Sequence, residues 1–311
     1  MASIDTLIIG YGETGRRVAR LEQAAGRSVM AQVRTEQKLA QHPLPHPRVL
    51  VGDLDRPTSI RNLPQQPGVL YWFAPPPATG SDDPRIAAFL QRLGPAHYPK
   101  KLVYISTSGV YGDCQGAWVT ESQPPAPRTD RALRRWAAEQ TLMNWATLTG
   151  VEYVILRVPG IYGPGRLPLE RLRQGLPVIT PEQAPYSNRI HIDDLARVCV
   201  AAARHSGTEV LFNVSDGHPT TMTDYFMQVA DLTGLPRPPC ISLAEARNHL
   251  SASLLSFIEE SRRMDNQLMR ERLGIELLYP DLARGLPACE EMTAPQVGTI
   301  REESAGKGRC K

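Results

Sequence analysis

Six residues near the amino terminus, Gly10-Tyr11-Gly12-Glu13-Thr14-Gly15, constrain this chain more than any other stretch. They follow Thr6-Leu7-Ile8-Ile9, whose branched apolar run reads as a buried strand, and they open a pattern predicted as a helix over Thr14–Ala25. The G-x-G-x-x-G spacing carries weight only in that strand–turn–helix setting, where each glycine has a task. Gly10 permits the tight turn, Gly12 lets the backbone approach a pyrophosphate, and Gly15 lets helix and strand pack closely. The free N–H groups of the helix N-terminus face the anion. The loop therefore predicts a bound dinucleotide.

The same alternation continues. Ser28–Val33, Arg48–Val51, Val69–Phe73, Leu102–Ile105 and Tyr153–Arg157 read as strands, with helices predicted over Asp83–Leu93 and Thr129–Leu148. Strands alternating with helices at this spacing pair in parallel through right-handed crossovers, so the fold class is α/β, a doubly wound parallel sheet or Rossmann fold. The predicted organisation is a dinucleotide-binding Rossmann domain over residues 1–165 and a smaller substrate-binding lobe over 166–288, interleaved with the last sheet strands. Pro159-Gly160-Ile161-Tyr162-Gly163-Pro164-Gly165 is expected to be loop. Helices are expected near Ile192–Arg204, Met222–Leu232 and Asp265–Leu273, with a strand-like piece at Val210–Val214. Residues 289–311 are polar and aperiodic, which predicts a flexible tail.

Composition narrows the partners. The net charge of +3 is not concentrated in any dense basic run, so nucleic acid is not an expected partner. No apolar stretch approaches the roughly 20 residues that span a bilayer, and Met1-Ala2-Ser3-Ile4-Asp5 has no basic leader region. The cysteines at 114, 199, 240, 289 and 310 form no C-x-x-C pair, so neither a disulfide framework nor a metal site is expected. These features together fit a cytoplasmic protein acting on a small molecule.

The end of the second strand bears on the cofactor. A site for NAD usually places an acidic residue there, against the ribose hydroxyls. This chain reads Gln32-Val33-Arg34-Thr35, and a guanidinium at Arg34 suits a 2′-phosphate, with Arg16 able to assist. NADP is thereby favoured and NAD remains open, the lesser alternative being that Arg34 is a solvated surface residue. Asp53 and Leu54 after the third strand can reach the adenine edge. Ala74 and Pro75 after the fourth, on a stiff backbone, suit a wall along the cofactor, and either segment could equally be ordinary loop.

Several later segments, taken in order, resemble the extended short-chain dehydrogenase/reductase superfamily of the epimerase/dehydratase type. Tyr104-Ile105-Ser106-Thr107-Ser108-Gly109-Val110-Tyr111-Gly112 is similar to that family's S-S-x-x-V-Y-G segment. Arg157 to Gly165 resembles its R-x-x-x-x-Y-G-P-G loop, Arg189 to Ala196 its V-H-V-D-D-V-A segment, and Asn213-Val214-Ser215 its Y-N-V-S piece. The resemblance implies an oxidoreductase or epimerase with Thr107 as the catalytic hydroxyl, Pro159 beside the cofactor, and Ser108, Tyr162 and Arg189 toward the substrate. It further implies a nucleotide-sugar-like or other small polar substrate, with Arg157, Arg166 and Arg189 as candidates for an anionic site. A homodimer is open, as the resemblance implies, with Trp136 and Trp145 as candidate contact residues or, equally, core-packing ones.

One departure matters most. The family carries Y-x-x-x-K on the helix after the fifth strand, and the matching positions here are Arg131 and Arg135. Arg135 can still meet ribose hydroxyls, but an arginine at 131 stays charged at all accessible pH and is a poor proton shuttle. The chain thus resembles an atypical member. Tyr111 and Tyr162 are candidate replacements for the missing phenol, or else packing residues; His191 reads as a helix-entry residue, with Asp193 as the N-cap. Two functions stay open: an NADP-dependent oxidoreductase or epimerase with a non-standard proton donor, and a non-catalytic dinucleotide-binding sensor.

Overall fold

A computed structural model describes residues 4–35, 47–249, 255 and 258–291 of the chain. Its first strand, β1 (Thr6–Ile9), is wholly buried and runs into helix α1 (Glu13–Ala24) through the glycine turn. Then follow β2 (Val29–Val33), β3 (Arg48–Val51), β4 (Val69–Trp72), α2 (Pro84–Arg92), β5 (Lys101–Thr107) and α3 (Asp130–Thr149). The strands Glu152–Val158 and Leu211–Asn213 complete a seven-stranded sheet.

From one edge the sheet runs β3, β2, β1, β4, β5, Glu152–Val158, Leu211–Asn213, and every pairing is parallel. The chain order reverses between β1 and β4, which opens a crevice outside the carboxyl ends of those two strands. Both faces of the sheet are covered, so its strands read as continuous apolar runs. Side-chain alternation sends Ile8, Tyr71, Val103, Val154 and Leu156 into a core shared with Val18 of α1 and Leu195 and Val198 of the helix Ile192–Arg204. Leu7, Ile9, Trp72, Leu102 and Ile155 enter the opposite core, with Phe89 of α2 and Leu142 of α3.

Helix starts follow the local chemistry. Asp83 caps α2 by accepting from the N–H groups of Arg85 and Ile86, and Thr129 caps α3 by accepting from Ala132. Gly12 caps α1 and has no side chain with which to do so, which leaves the first N–H groups of that helix turned to the crevice.

The carboxyl-terminal part shares its elements between two places. Helix Ile192–Arg204 and strand Leu211–Asn213 belong to the main sheet, whereas Tyr162, Leu172, Val178, Phe226, Val229, Leu282, Leu286 and Cys289 form a separate core. Two expectations need correction. Pro159–Gly165 is not all loop: Gly160–Tyr162 is a short strand paired in parallel with Arg189–His191. The helix Leu282–Glu291 runs past 288 and buries Cys289, so the tail expected from 289 cannot begin there, and residues 292–311 lie outside the described set. Trp145 meets Tyr98 edge-on at 5.4 Å, and the Arg157 guanidinium lies 5.9 Å from the Trp136 ring centre. Among the described residues no helix is long and apolar enough to cross a membrane.

Candidate functional site

The crevice at the reversal point holds a cleft of about 630 Å³ lined by Gly10 through Arg16 of the glycine turn. Arg34, Asp53, Leu54, Ala74, Pro75 and Arg135, each picked out from the sequence, line it as well. Gln32, Phe73, Arg85, Ile105 and Ile161 join them without having been anticipated. Thr107 and Pro159 are outside the lining set; Thr107 sits opposite Val158 at the carboxyl ends of neighbouring strands, one residue before Pro159.

The glycines behave as a cradle. A Cβ on Gly10 would lie 2.4 Å from the backbone N of Ala74, and φ there is +94°. A Cβ on Gly15 would lie 2.6 Å from the carbonyl oxygen of Gly10. Gly10 and Gly15 are therefore required by the turn itself. A Cβ on Gly12 would meet no atom of the described residues within 4 Å, so none of them demands glycine at that position. Open space above Gly12, uncapped N–H groups behind it and a glycine the backbone does not require together fit a diphosphate lying on the turn.

At the far end of the cleft, charged side chains are linked. Arg34 is 61% exposed and stands 3.6 Å from Asp53 and 3.8 Å from Asp55, beyond hydrogen-bond distance of either. Asp55 is instead held by Arg85, whose guanidinium donates to both its oxygens at 2.7 and 2.8 Å and to the carbonyl of Pro75 at 2.8 Å. Arg85 thus braces the Asp53–Asp55 loop against the Ala74–Pro75 wall, and holds the Asp55 carboxyl below its ordinary range. On the other side of the glycine turn, Arg166 donates from Nε to Glu13 at 2.6 Å.

The end expected to receive a nicotinamide is built from β5 and α3. Arg135, at the position of the family's lysine, donates to the carbonyl of Ile105 at 3.2 Å and to the Tyr104 hydroxyl at 3.3 Å. Thr107 Oγ1 accepts from the N–H of Gly109 at 3.2 Å, and its own O–H donates to none of the described residues. Ser108 begins the short turn Ser108–Tyr111 and is buried. Arg131 is half-buried, and burial lowers its pKa against the raising effect of Glu260. Glu260 is itself paired with Arg262 at 2.6 Å.

Neither candidate phenol is placed for proton transfer. Tyr111 donates to Asn213 Oδ1 at 2.7 Å, has the Arg157 guanidinium 4.7 Å from its ring centre, and is pushed up to about 12 by burial. Tyr162 is buried in the carboxyl-terminal core, bonds the carbonyl of Asp281 at 3.4 Å, and burial raises its pKa further still. The three arginines expected to share an anionic site have separate contacts. Arg157 pairs with the buried Glu139 at 2.8 Å, Arg166 with Glu13, and Arg189 stacks 3.7 Å from the ring centre of Tyr225. His191, not Asp193, is the N-cap of its helix: its Nδ1 accepts from the Asp193 N–H at 3.2 Å, while Asp193 pairs with Arg17 at 2.6 Å.

Glu139 had no part in the sequence argument, yet it is a buried hub. It accepts from the Ser106 hydroxyl and pairs with Arg157 through both oxygens. The network ties α3 to β5 and to the strand Glu152–Val158, and so fixes the carboxyl ends where Thr107 and Pro159 stand.

This fold and this glycine-lined cleft define a dinucleotide-binding protein of the Rossmann class. The chain belongs to the NAD dependent epimerase/dehydratase family, whose model matches residues 6–215. It is 29% identical over 187 residues to the protein YeeZ of Escherichia coli K12, across 60% of this chain, and spans 61% of that relative's length. A functionally unknown conserved protein from Silicibacter pomeroyi superposes with a TM-score of 0.76 at 29% identity, covering 92% of this chain and 98% of that one. MoeE5, solved in complex with UDP-glucose and NAD, has the same fold, with a TM-score of 0.68, 22% identity, and coverage of 93% and 100%.

Proposed function

We propose that this chain is an NADP-dependent oxidoreductase or epimerase-type enzyme acting on a small polar substrate of nucleotide-sugar type. The observation that supports it best is the cleft in which Gly12 has open space, helix N–H groups without a side-chain cap lie behind it, and Arg34 has no hydrogen-bonded acid partner among the described residues. The turn Gly10–Gly15 would hold the diphosphate, Asp53, Leu54, Ala74 and Pro75 the adenine side, and Arg135 the nicotinamide ribose. A bound nicotinamide would supply hydride acceptance and donation. Thr107, whose O–H donates to no described residue, would hydrogen-bond the reacting oxygen, and Ser108 and Pro159 would shape the ground beside it. MoeE5, with UDP-glucose and NAD, supports the substrate class by likeness of fold.

Arg34 favours NADP over NAD, because a guanidinium gains a charge-assisted pair from the 2′-phosphate and nothing comparable from a hydroxyl. Asp53 beside it limits the preference, so about tenfold in Kd is expected, worth ~1.4 kcal/mol. Fluorescence titration with NADPH and NADH tests this, and a preference for NADH would refute the Arg34 argument. A second reading, a cofactor-binding sensor without turnover, is favoured by Arg131 at the tyrosine position and by the burial of Tyr111 and Tyr162. Hydride exchange between labelled NADPH and a panel of nucleotide sugars and short carbonyls separates the two: exchange with no panel member supports the sensor.

A further inference from the structure

Glu13 and Arg166 come from segments 153 residues apart and meet across the cleft, Nε to Oε2 at 2.6 Å, each about one-third exposed. Glu13 is the first residue of α1, directly after Gly12, so its carboxylate sits where the helix N-terminus attracts an anion. Arg166 follows the Gly163-Pro164-Gly165 turn and is anchored there by its own N–H to the carbonyl of Gly163. Within its guanidinium only Nε makes a hydrogen bond to a described residue, which leaves both Nη groups as unused donors in a cleft lined by the glycine turn.

A carboxylate beside an anion-binding turn would repel a diphosphate, unless the cation that pairs with it also serves the incoming ligand. We propose that Arg166 is the cationic ligand of the cofactor diphosphate and that Glu13 holds it in place in the free protein, releasing it when the diphosphate arrives. The inference rests on the reading of the cleft as a dinucleotide site. It gives Arg166 a role toward the cofactor, not the substrate. A guanidinium is suited to it, since its planar fork can turn from one acceptor to another at the same spot. Because the diphosphate is common to NAD and NADP, the effect is independent of the 2′-phosphate and of Arg34.

The test measures Kd for NADPH by fluorescence, and for ADP-ribose and adenosine by calorimetry, in wild type, Glu13→Gln, Arg166→Gln and the double variant. Glu13→Gln is expected to tighten NADPH and ADP-ribose several-fold, and Arg166→Gln to weaken both by about tenfold or more, the scale of one charge-assisted contact. Adenosine, which has no phosphate, should bind all four proteins alike. The decisive comparison is Arg166→Gln made in the Glu13→Gln protein. A loss of about tenfold there shows that Arg166 contacts the diphosphate, whereas no loss shows that it merely neutralises Glu13 and overturns the proposal. Failure of Glu13→Gln to tighten binding overturns it as well. Wild-type protein that binds neither NADPH nor ADP-ribose overturns the cofactor reading and this inference together. Arg166→Lys guards against a folding artefact: keeping the charge without the fork, it should fall between wild type and Arg166→Gln.

Discussion

Gly12→Ala separates the needs of the fold from the needs of the ligand. Gly12 has an extended backbone, φ −83° and ψ −162°, that alanine can adopt, and an added Cβ meets nothing within 4 Å. The free protein should therefore unfold within about 0.5 kcal/mol of wild type, as substitutions without a structural contact do. In the occupied cleft the methyl group stands between the diphosphate and the N–H groups of α1. Losing two charge-assisted hydrogen bonds at about 1.5–3 kcal/mol each weakens binding by at least a hundredfold. Gly15→Ala is the contrasting control, since its Cβ would lie 2.6 Å from the Gly10 carbonyl and the free protein itself should lose about 1–3 kcal/mol. Urea unfolding of the free proteins, with NADPH titration of each, reads both effects. If Gly12→Ala bound NADPH within threefold of wild type, the space above Gly12 would not be the diphosphate site.

Two further outcomes follow from buried charge. Burial pushes the Asp216 carboxyl up from 3.8 to about 7, and one of its oxygens has no partner among the described residues. A carboxyl with a raised folded-state pKa makes the native state hold its proton longer, so stability falls as pH rises from about 4 to about 7. Three pKa units at about 1.4 kcal/mol each put that loss on the order of 4 kcal/mol. Asp216→Asn should flatten the slope in unfolding measured between pH 4 and 8, and parallel profiles for the two proteins would dismiss the assignment. Glu139→Gln leaves Arg157, only 3% exposed, without its counter-charge and should destabilise by about 3–5 kcal/mol in urea unfolding; a loss under 1 kcal/mol would mean the pair is not isolated from water.

Much of the sheet was legible because its signal is local. Thr6–Ile9 and Arg48–Val51 coincide with the expected strands, and the other expected strands of the sheet differ by at most two residues at either end. What failed depends on partners distant in the chain. Gly160–Tyr162 reads as loop from its glycine and proline neighbours, and becomes a strand because Arg189–His191 lies alongside to take its hydrogen bonds. Tyr111 and Tyr162 look like candidate acids in a list of residues; only the packing of Asn213 and Arg157 on one, and of the carboxyl-terminal core on the other, takes them out of reach. Glu139 carries a faint signal, an acidic residue on the stripe of α3 that also holds Ala138 and Leu142, which marks a buried charge needing a partner. Asp193 was the natural cap by residue type, yet His191 does that work with an imidazole nitrogen.

The two ends of the cleft are built for different tasks. At the glycine turn and the adenine side, charges are plentiful and braced against one another: Glu13 with Arg166, Arg34 near Asp53, and Asp55 with Arg85. Such an arrangement favours holding a charged dinucleotide. Around Thr107 the supply reverses. Arg135 is a permanent donor, Thr107 offers a hydroxyl that does not ionise near neutral pH, and Tyr111 stays protonated. On the proposed reading Arg135 and Thr107 would orient and polarise a carbonyl oxygen, which needs donors, better than they would take a proton from an alcohol, which needs a base. If the cleft takes a nicotinamide as proposed, the groups at this end would assist hydride transfer toward a carbonyl, with its proton drawn from water, and would leave alcohol oxidation unaided.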